Sequence, residues 1–305
     1  MKIKNFLPFF CGIFANVIFG FSFLFSKTAL STGVHPTVIL AIRFFVSFLV
    51  INLLVLFGAV KVSFKNKPVI KILLMAVFQP VLYFIFELYG VKEVSTAVSG
   101  VILALVPVLV CAASGVFLKE KPTTLQIVFT VISFLCVAGI SIISKQGSGF
   151  SLLGLLLLIL AVVCAAAFNV LSRSTASVFS AAERTYIMFA AAFVVFSVLP
   201  FFTVGQNYFG ELAKAAVNPS IIISIIYLSV LSSVCAFLMY NYCTGKIGVV
   251  KASSYSNIIT VISVPAGIIF LKEEVSFPVL ALCIVIMFCV YMVNKQGVKK
   301  VCKQK

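Results

Sequence analysis

The sequence predicts an all-α polytopic membrane protein, with ten transmembrane helices arranged as two inverted five-helix repeats. Three observations predict it. First, 63% of the 305 residues are hydrophobic and only 10% are charged, with a mean hydropathy of +1.25. That is too little charge to cover a water-soluble domain. Second, the apolar residues form continuous runs of about twenty, the length of a spanning helix. A barrel would show alternating segments of about ten. Third, Phe-Leu-Lys-Glu occurs at Phe117 to Glu120 and again at Phe270 to Glu273, each time closing an apolar run. Five crossings separate the two copies, so they face opposite sides of a bilayer. If they mark equivalent places, the halves are inverted, the build of many secondary transporters with a site near the midplane.

The spans follow at roughly 6–26, 36–57, 68–88, 95–117, 123–143, 152–172, 182–202, 219–243, 249–271 and 276–293. Met1 to Lys4 followed by apolar residues resembles a signal peptide. The run continues past Ala15 to about Ser26 without a small-residue exit, so it reads as an uncleaved first span. Pro36, Pro68, Pro122, Pro219 and Pro278 stand at or near span starts, where a fixed φ and a missing N–H cost a helix least. Connections are short except for Thr203 to Asn218, which leaves no room for a separate soluble domain. The turn Gln146-Gly147-Ser148-Gly149 divides the chain into a first repeat, 1–146, and a second, 147–305, that ends in a basic tail. A shift of 153 residues superposes the two tetrapeptides and also aligns Tyr89 with Tyr242 and Pro107 with Thr260.

The net charge of +16 sits between apolar runs rather than on one folded surface, which argues against nucleic acid as a partner. Seventeen lysines and arginines fall on the side of the N-terminus, against Lys27, Lys92, Lys145, Lys214 and Lys272 on the other. By the positive-inside rule both termini are cytoplasmic, in an inner or plasma cell membrane. The nine cysteines are scattered without a Cys-x-x-Cys pair, and His35 is the only histidine, so no metal site is expected. No nucleotide loop, paired carboxylates or nucleophile-histidine set is present, so neither an enzyme nor an ATP-driven pump is indicated, and no cofactor is called for.

Several short motifs resemble the EamA family of the drug/metabolite transporter superfamily. They are Asn16-Val-Ile-Phe-Gly20 with Phe23 and Lys27 in the first span, Pro36 through Arg43-Phe44 in the second, and Pro107 with Leu118-Lys119-Glu120 in the fourth. Phe19 stands where the family has tryptophan, Lys119 where glycine is frequent, and Thr260 where the second repeat often has proline. The resemblance covers nearly the whole chain. It implies ten spans in two inverted repeats and the export of amino acids or other small metabolites.

Polar groups within the spans must face protein or a water-filled cavity. In the third span Gln79, Tyr83 and Glu87 fall at i, i+4 and i+8, beside Pro80. The stripe reads as pathway lining, with Glu87 able to bind an ammonium or carry a proton; alternatively Glu87 is an interfacial charge paired with a nearby cation. Arg43, two turns into the second span, reads as a structural partner of Glu87 or as a grip for a substrate carboxylate. Ser253, Asn257 and Thr260 share a face of the ninth span, serving pathway lining and helix contact equally well. Asn16, Asn169 and Tyr240 complete the substrate-binding candidates. Pro80, Pro107 and Pro265 are candidate hinges. Lys27 reads as a surface or snorkelling charge, and Glu120 and Glu273 as local partners of lysines. The cavity is expected among spans one, three, four, six, eight and nine. A lipid or polyprenyl flippase and a membrane-embedded enzyme remain the competing classes, although neither basic head-group contacts nor clustered catalytic groups are evident. Beyond a small-molecule substrate and membrane lipids, small residues on span faces leave a homodimer open.

Overall fold

The computed structural model describes residues 3–65, 67–117, 151–247, 252–253, 255–273 and 276–303, with short helical pieces between 124 and 139. Leu118, Lys119, Glu120, the turn at 146–149 and most of the fifth span lie outside the described residues. Every described element is helical. The first span is α1 (Ile3–Ser31) and the second α2 (Pro36–Leu56). The third runs through α3 (Ile70–Ala76), a widened π-helical stretch Val77–Leu82, and α4 (Tyr83–Glu93). The fourth is α5 (Thr96–Leu103) and α6 (Val106–Phe117). In the second half the sixth span is α7 (Leu152–Thr175) and the seventh α8 (Ala181–Thr203). The long connection folds into a 3-10 turn, Gly205–Asn207, and an amphipathic helix α9 (Tyr208–Val217). The eighth span is α10 (Pro219–Ile226), a π-helical stretch Tyr227–Cys235 and α11 (Ala236–Ile247). The ninth and tenth are α12 (Asn257–Leu271) and α13 (Phe277–Lys303). Among the described residues, six of these spans are long and apolar enough to cross a membrane, and shorter apolar helices stand at the fourth, ninth and tenth. The chain is therefore an all-α polytopic membrane protein.

Local chemistry sets the helix ends. Pro36 occupies the first turn of α2 behind an extended His35. Ser95 and Ser151 accept backbone N–H groups of Val98 and Gly154 at 3.2 Å, and Ser180 with Glu183 forms a capping box on α8. Asn218 caps α10, with Pro219 at its first position.

The packing is two-fold pseudosymmetric. The first span lies along the eighth and ninth, as the sixth lies along the third and fourth. The second packs on the seventh, and the fourth on the ninth, across the pseudo-axis. Both π-helical stretches interrupt equivalent spans: Val77–Leu82 shifted by 153 becomes 230–235, inside Tyr227–Cys235. Contacts between loops establish the alternation of ends. Lys67 meets Glu183 at 2.7 Å on the side of the N-terminus (the near side). Glu273 accepts from Thr96 N at 2.7 Å and Glu211 from His35 N at 3.0 Å on the far side. Glu211 also pairs with Lys214, and these two donors hold its carboxyl below the usual carboxylate range.

An aromatic cluster forms the core between the halves. Phe44 stacks on Phe196 at 5.0 Å and meets Phe84 edge-on at 5.2 Å, while Phe237 meets Phe19 at 5.2 Å and Phe189 at 6.0 Å. Such pairs each contribute about 0.5–1.5 kcal/mol beyond burial.

Close helix contact elsewhere depends on missing side chains. A Cβ on Gly90 would sit 2.7 Å from Leu158 Cγ, where the third and sixth spans cross, whereas one on Gly210 of α9 would meet nothing within 4 Å. Overpacking costs about 1–3 kcal/mol, against about 0.5–1 kcal/mol gained when alanine replaces a helical glycine. Gly90→Ala should therefore lower the thermal midpoint of the detergent-solubilised protein, and Gly210→Ala should leave or raise it. Equal shifts of one sign would contradict the crossing.

Candidate functional site

The third span cannot continue as one α-helix through Gln79 and Pro80. Pro80 has no N–H to donate, and Gln79 adopts extended backbone (φ −146°, ψ 118°) before a cis peptide bond. The fourth span breaks at Ala104 and Leu105, just before Pro107 near the start of α6. Irregular backbone at this depth is tolerated where protein or a cavity satisfies it. Both breaks adjoin one cavity between the halves, as does the π-helical stretch of the eighth span.

Six spans wall that cavity. The first supplies Asn16, Phe19, Ser22 and Phe23; the third Gln79, Tyr83, Phe84 and Glu87; the fourth Leu103 and Val106; the sixth Ala165, Phe168 and Asn169; the eighth Ser232, Phe237 and Tyr240; the ninth Ser256 and Ile259. The space open to water centres is about 60 Å³, enough for several waters. Of the sequence candidates, Asn16, Gln79, Tyr83, Glu87, Asn169 and Tyr240 thus share one surface.

The two asparagines are held alike. Asn16 Nδ2 donates to Gly12 O at 2.7 Å, and Asn169 Nδ2 donates to Ala165 O at 2.8 Å, each one turn back in its own helix. That bond points the side-chain oxygen away from the helix. Asn169 Oδ1 accepts from the Tyr240 hydroxyl at 2.7 Å. Glu87 is 2% exposed, and its Oε2 has no hydrogen-bond partner among the described residues.

Arg43 is not ion-paired with Glu87; no such contact falls within 4.0 Å, correcting the expected pair. Its guanidinium, 1% exposed, donates to Ser233 Oγ at 3.1 Å and Ser232 Oγ at 3.2 Å and lies 4.1 Å over the Phe84 ring. It stands behind the cavity wall, outside the lining, so it is not placed to grip a solute directly. Ser253 is buried but does not line the cavity, because a turn at Tyr255 and Ser256 resets the helical phase before α12 begins. The Asn257 side chain lies outside what is described. Thr260 donates to Gly100 O at 2.9 Å and so joins the ninth span to the fourth. Pro265 lies inside a continuous α12 rather than at a break. Lys27 is half-buried at the far-side end of its span, where its Nζ donates to the carbonyls of Val91 (2.8 Å), Lys92 (3.2 Å) and Val94 (2.8 Å), closing the C-terminal end of α4. Among the described residues, no three His, Cys, Asp or Glu side chains gather as a metal site.

The EamA-like transporter family matches residues 7–142 and 152–295, once in each half. The chain belongs to the EamA-like transporter family. A Bacillus subtilis protein named "Uncharacterized transporter YcxC" is 35% identical over 293 residues, 94% of this chain and 93% of that protein. An Archaeoglobus fulgidus protein named "Uncharacterized transporter" is 24% identical across 86% of this chain and 89% of its own length. A solved crystal structure superposes with a TM-score of 0.59 at 17% identity, covering 94% of this chain and 98% of its own, so the two share a fold.

In this EamA-like chain, sequence reasoning missed two features. Arg184, counted among the near-side loop charges, is 1% exposed. It donates to Ser172 Oγ and O at 2.6 and 2.8 Å and to Asn241 O at 2.6 Å, joining the sixth, seventh and eighth spans. Ser232, in the cavity wall, was also missed. The shift of 153 carries Gln79 onto it (79 + 153 = 232), so the repeat itself held the signal.

Tyr240→Phe should cost about 1 kcal/mol, because it strands Asn169 Oδ1. A double-mutant cycle with Asn169→Ala, read by unfolding of the purified protein, should return a coupling of about that size. Additive losses would mean the bond contributes nothing.

Proposed function

We propose that this chain is a secondary carrier that moves a small metabolite, an amino acid or related compound, by alternating access, in the direction of export. The observation that carries the reading is a cavity between two pseudosymmetric halves, bordered by the breaks in the third and fourth spans. A solute there would meet Asn16, Gln79, Tyr83, Glu87, Asn169 and Tyr240 midway between the two loop layers. The excess of lysine and arginine on the near side supports a cell-membrane orientation with both termini cytoplasmic. Pro80 and Pro107, both at helix breaks, are the natural places for one half to bend as it rocks against the other; Pro265, inside a continuous helix, is the weaker candidate hinge.

Reconstitution in liposomes with labelled amino acids and other small metabolites tests the reading. Flux that saturates with solute, and that Gln79→Ala or Tyr83→Ala reduces about tenfold or more at unchanged protein yield, is the expected result. Absence of flux for any solute, together with lipid scrambling, would instead favour a flippase. Pro107→Ala should alter the transport rate more than the amount of protein in the membrane, and an unchanged rate would remove it as a hinge.

A further inference from the structure

The shift of 153 that superposes the two tetrapeptides also superposes the polar centre of the cavity. Asn16 falls on Asn169 (16 + 153 = 169) and Glu87 on Tyr240 (87 + 153 = 240). The structure bears out the equivalence, since both asparagines donate one turn back at nearly equal distances. In the second half the pair is complete, with the tyrosine hydroxyl donating to the asparagine oxygen. In the first half a carboxylate replaces the hydroxyl. Glu87 Oε2 lacks a donor among the described residues, and the Glu87 and Asn16 side chains border the same cavity. Where the second half pairs its tyrosine with its asparagine, the first leaves a carboxylate oxygen without a partner among the described residues.

A buried carboxylate oxygen without a donor, in the wall of an aromatic-lined cavity, calls for a ligand that supplies N–H groups and positive charge. We propose that Glu87, with Asn16 beside it, is an ammonium site: the transported solute presents a protonated primary amine there, and a proton occupies the same carboxylate when no solute is bound. An ionised carboxylate left without a partner in such a place is heavily penalised, and either a proton or an ammonium removes that penalty. The two exchange without altering the net buried charge. The rings of Phe19, Phe23 and Tyr83 in the wall favour a cation further. The charged and titratable groups facing Glu87 are Arg43 on α2, Tyr83 on its own span and Tyr240 on α11, with Lys27 of α1 one turn beyond at Val91. Arg43 is the nearest fixed cation. Its commitment to Ser232, Ser233 and the Phe84 face keeps it from closing on Glu87.

The inference rests on the carrier reading of the cavity, and its test needs no knowledge of the natural solute. Methylammonium chloride carries only the group in question and is small enough for the space. Purified full-length protein in lipid nanodiscs would be followed by infrared difference spectroscopy at the carbonyl stretch of a protonated carboxyl group. Methylammonium should remove that band, at concentrations that fall as pH rises, by up to tenfold per pH unit while proton and ammonium compete. Sodium acetate should not. Glu87→Gln should abolish the band and the response, and Glu87→Asp should keep both with affinity about tenfold or more weaker. A band untouched by methylammonium in the native chain, or an unchanged response in Glu87→Gln, would overturn the proposal. The native chain alone decides the matter should Glu87→Gln fail to fold. Methylammonium binding without flux of any solute would sink the carrier reading alone. Flux of anionic or N-acylated solutes indifferent to methylammonium would sink the ammonium site alone.

Discussion

Hydrocarbon offers no hydrogen bonds, and most of this architecture answers that constraint. Each unsatisfied backbone or side-chain group at depth costs several kcal/mol, so polar atoms must find partners in the protein or face a cavity. Arg43 is answered by two serines and an aromatic face, Lys27 by three carbonyls at the end of a helix, and Arg184 by Ser172 and Asn241. The broken backbone at Gln79 and at Ala104 is placed beside the one cavity that borders both breaks. Beside these groups the carboxylate of Glu87 stands out. It is the one buried carboxylate oxygen without a partner among the described residues, and it borders that cavity.

The pseudosymmetry explains why the cavity lies where it does. Two copies of one helical repeat bring equivalent faces of the first and sixth spans and of the third and eighth spans to a common centre. Identical halves would give a centre with two identical sets of groups. Divergence has made the sets different: Tyr240 opposite Glu87, Ser232 opposite Gln79. The first pair differs in what matters for binding, because a phenol can donate to its neighbouring asparagine and an ionised carboxylate cannot.

Much of this was legible in the chain because spans are written in long, redundant patterns. Twenty apolar residues cannot be mistaken for a turn, and a charge count over many loops averages out single exceptions. The stripe Gln79, Tyr83, Glu87 was legible although the helix carrying it is broken, because Tyr83 and Glu87 stay in phase on α4 and the break turns Gln79 toward the same space. The errors arose where one residue decides the outcome. Arg43 chose serines over Glu87, a competition of geometries that spacing does not encode. Ser253 fell off the cavity through a two-residue turn. Lys27 and Arg184 looked like loop charges because their partners are main-chain carbonyls and hydroxyls from distant spans.

The proposed alternating access adds a last requirement, that the two closed ends be of comparable strength. A carrier held much more firmly at one end would rest in one state, since moving an equilibrium from 1:99 to 99:1 takes about 5.5 kcal/mol of differential binding. The ends of this chain use the same chemistry. On the near side Glu183 accepts from Ser63 N and from Lys67 across a gap in sequence of more than a hundred residues. On the far side Glu273 accepts from Thr96 N and Glu211 from His35 N, again joining the first half to the second. Each is a carboxylate taking a main-chain N–H, a bond of about 1.5–3 kcal/mol when charge-assisted. Between these latches lie apolar helix faces, whose contacts can be exchanged for lipid contacts at little net cost. Matched latches over a slippery middle leave the balance to be set at the centre, where, in the proposed carrier, a few kcal/mol from one occupied carboxylate is enough to tip it.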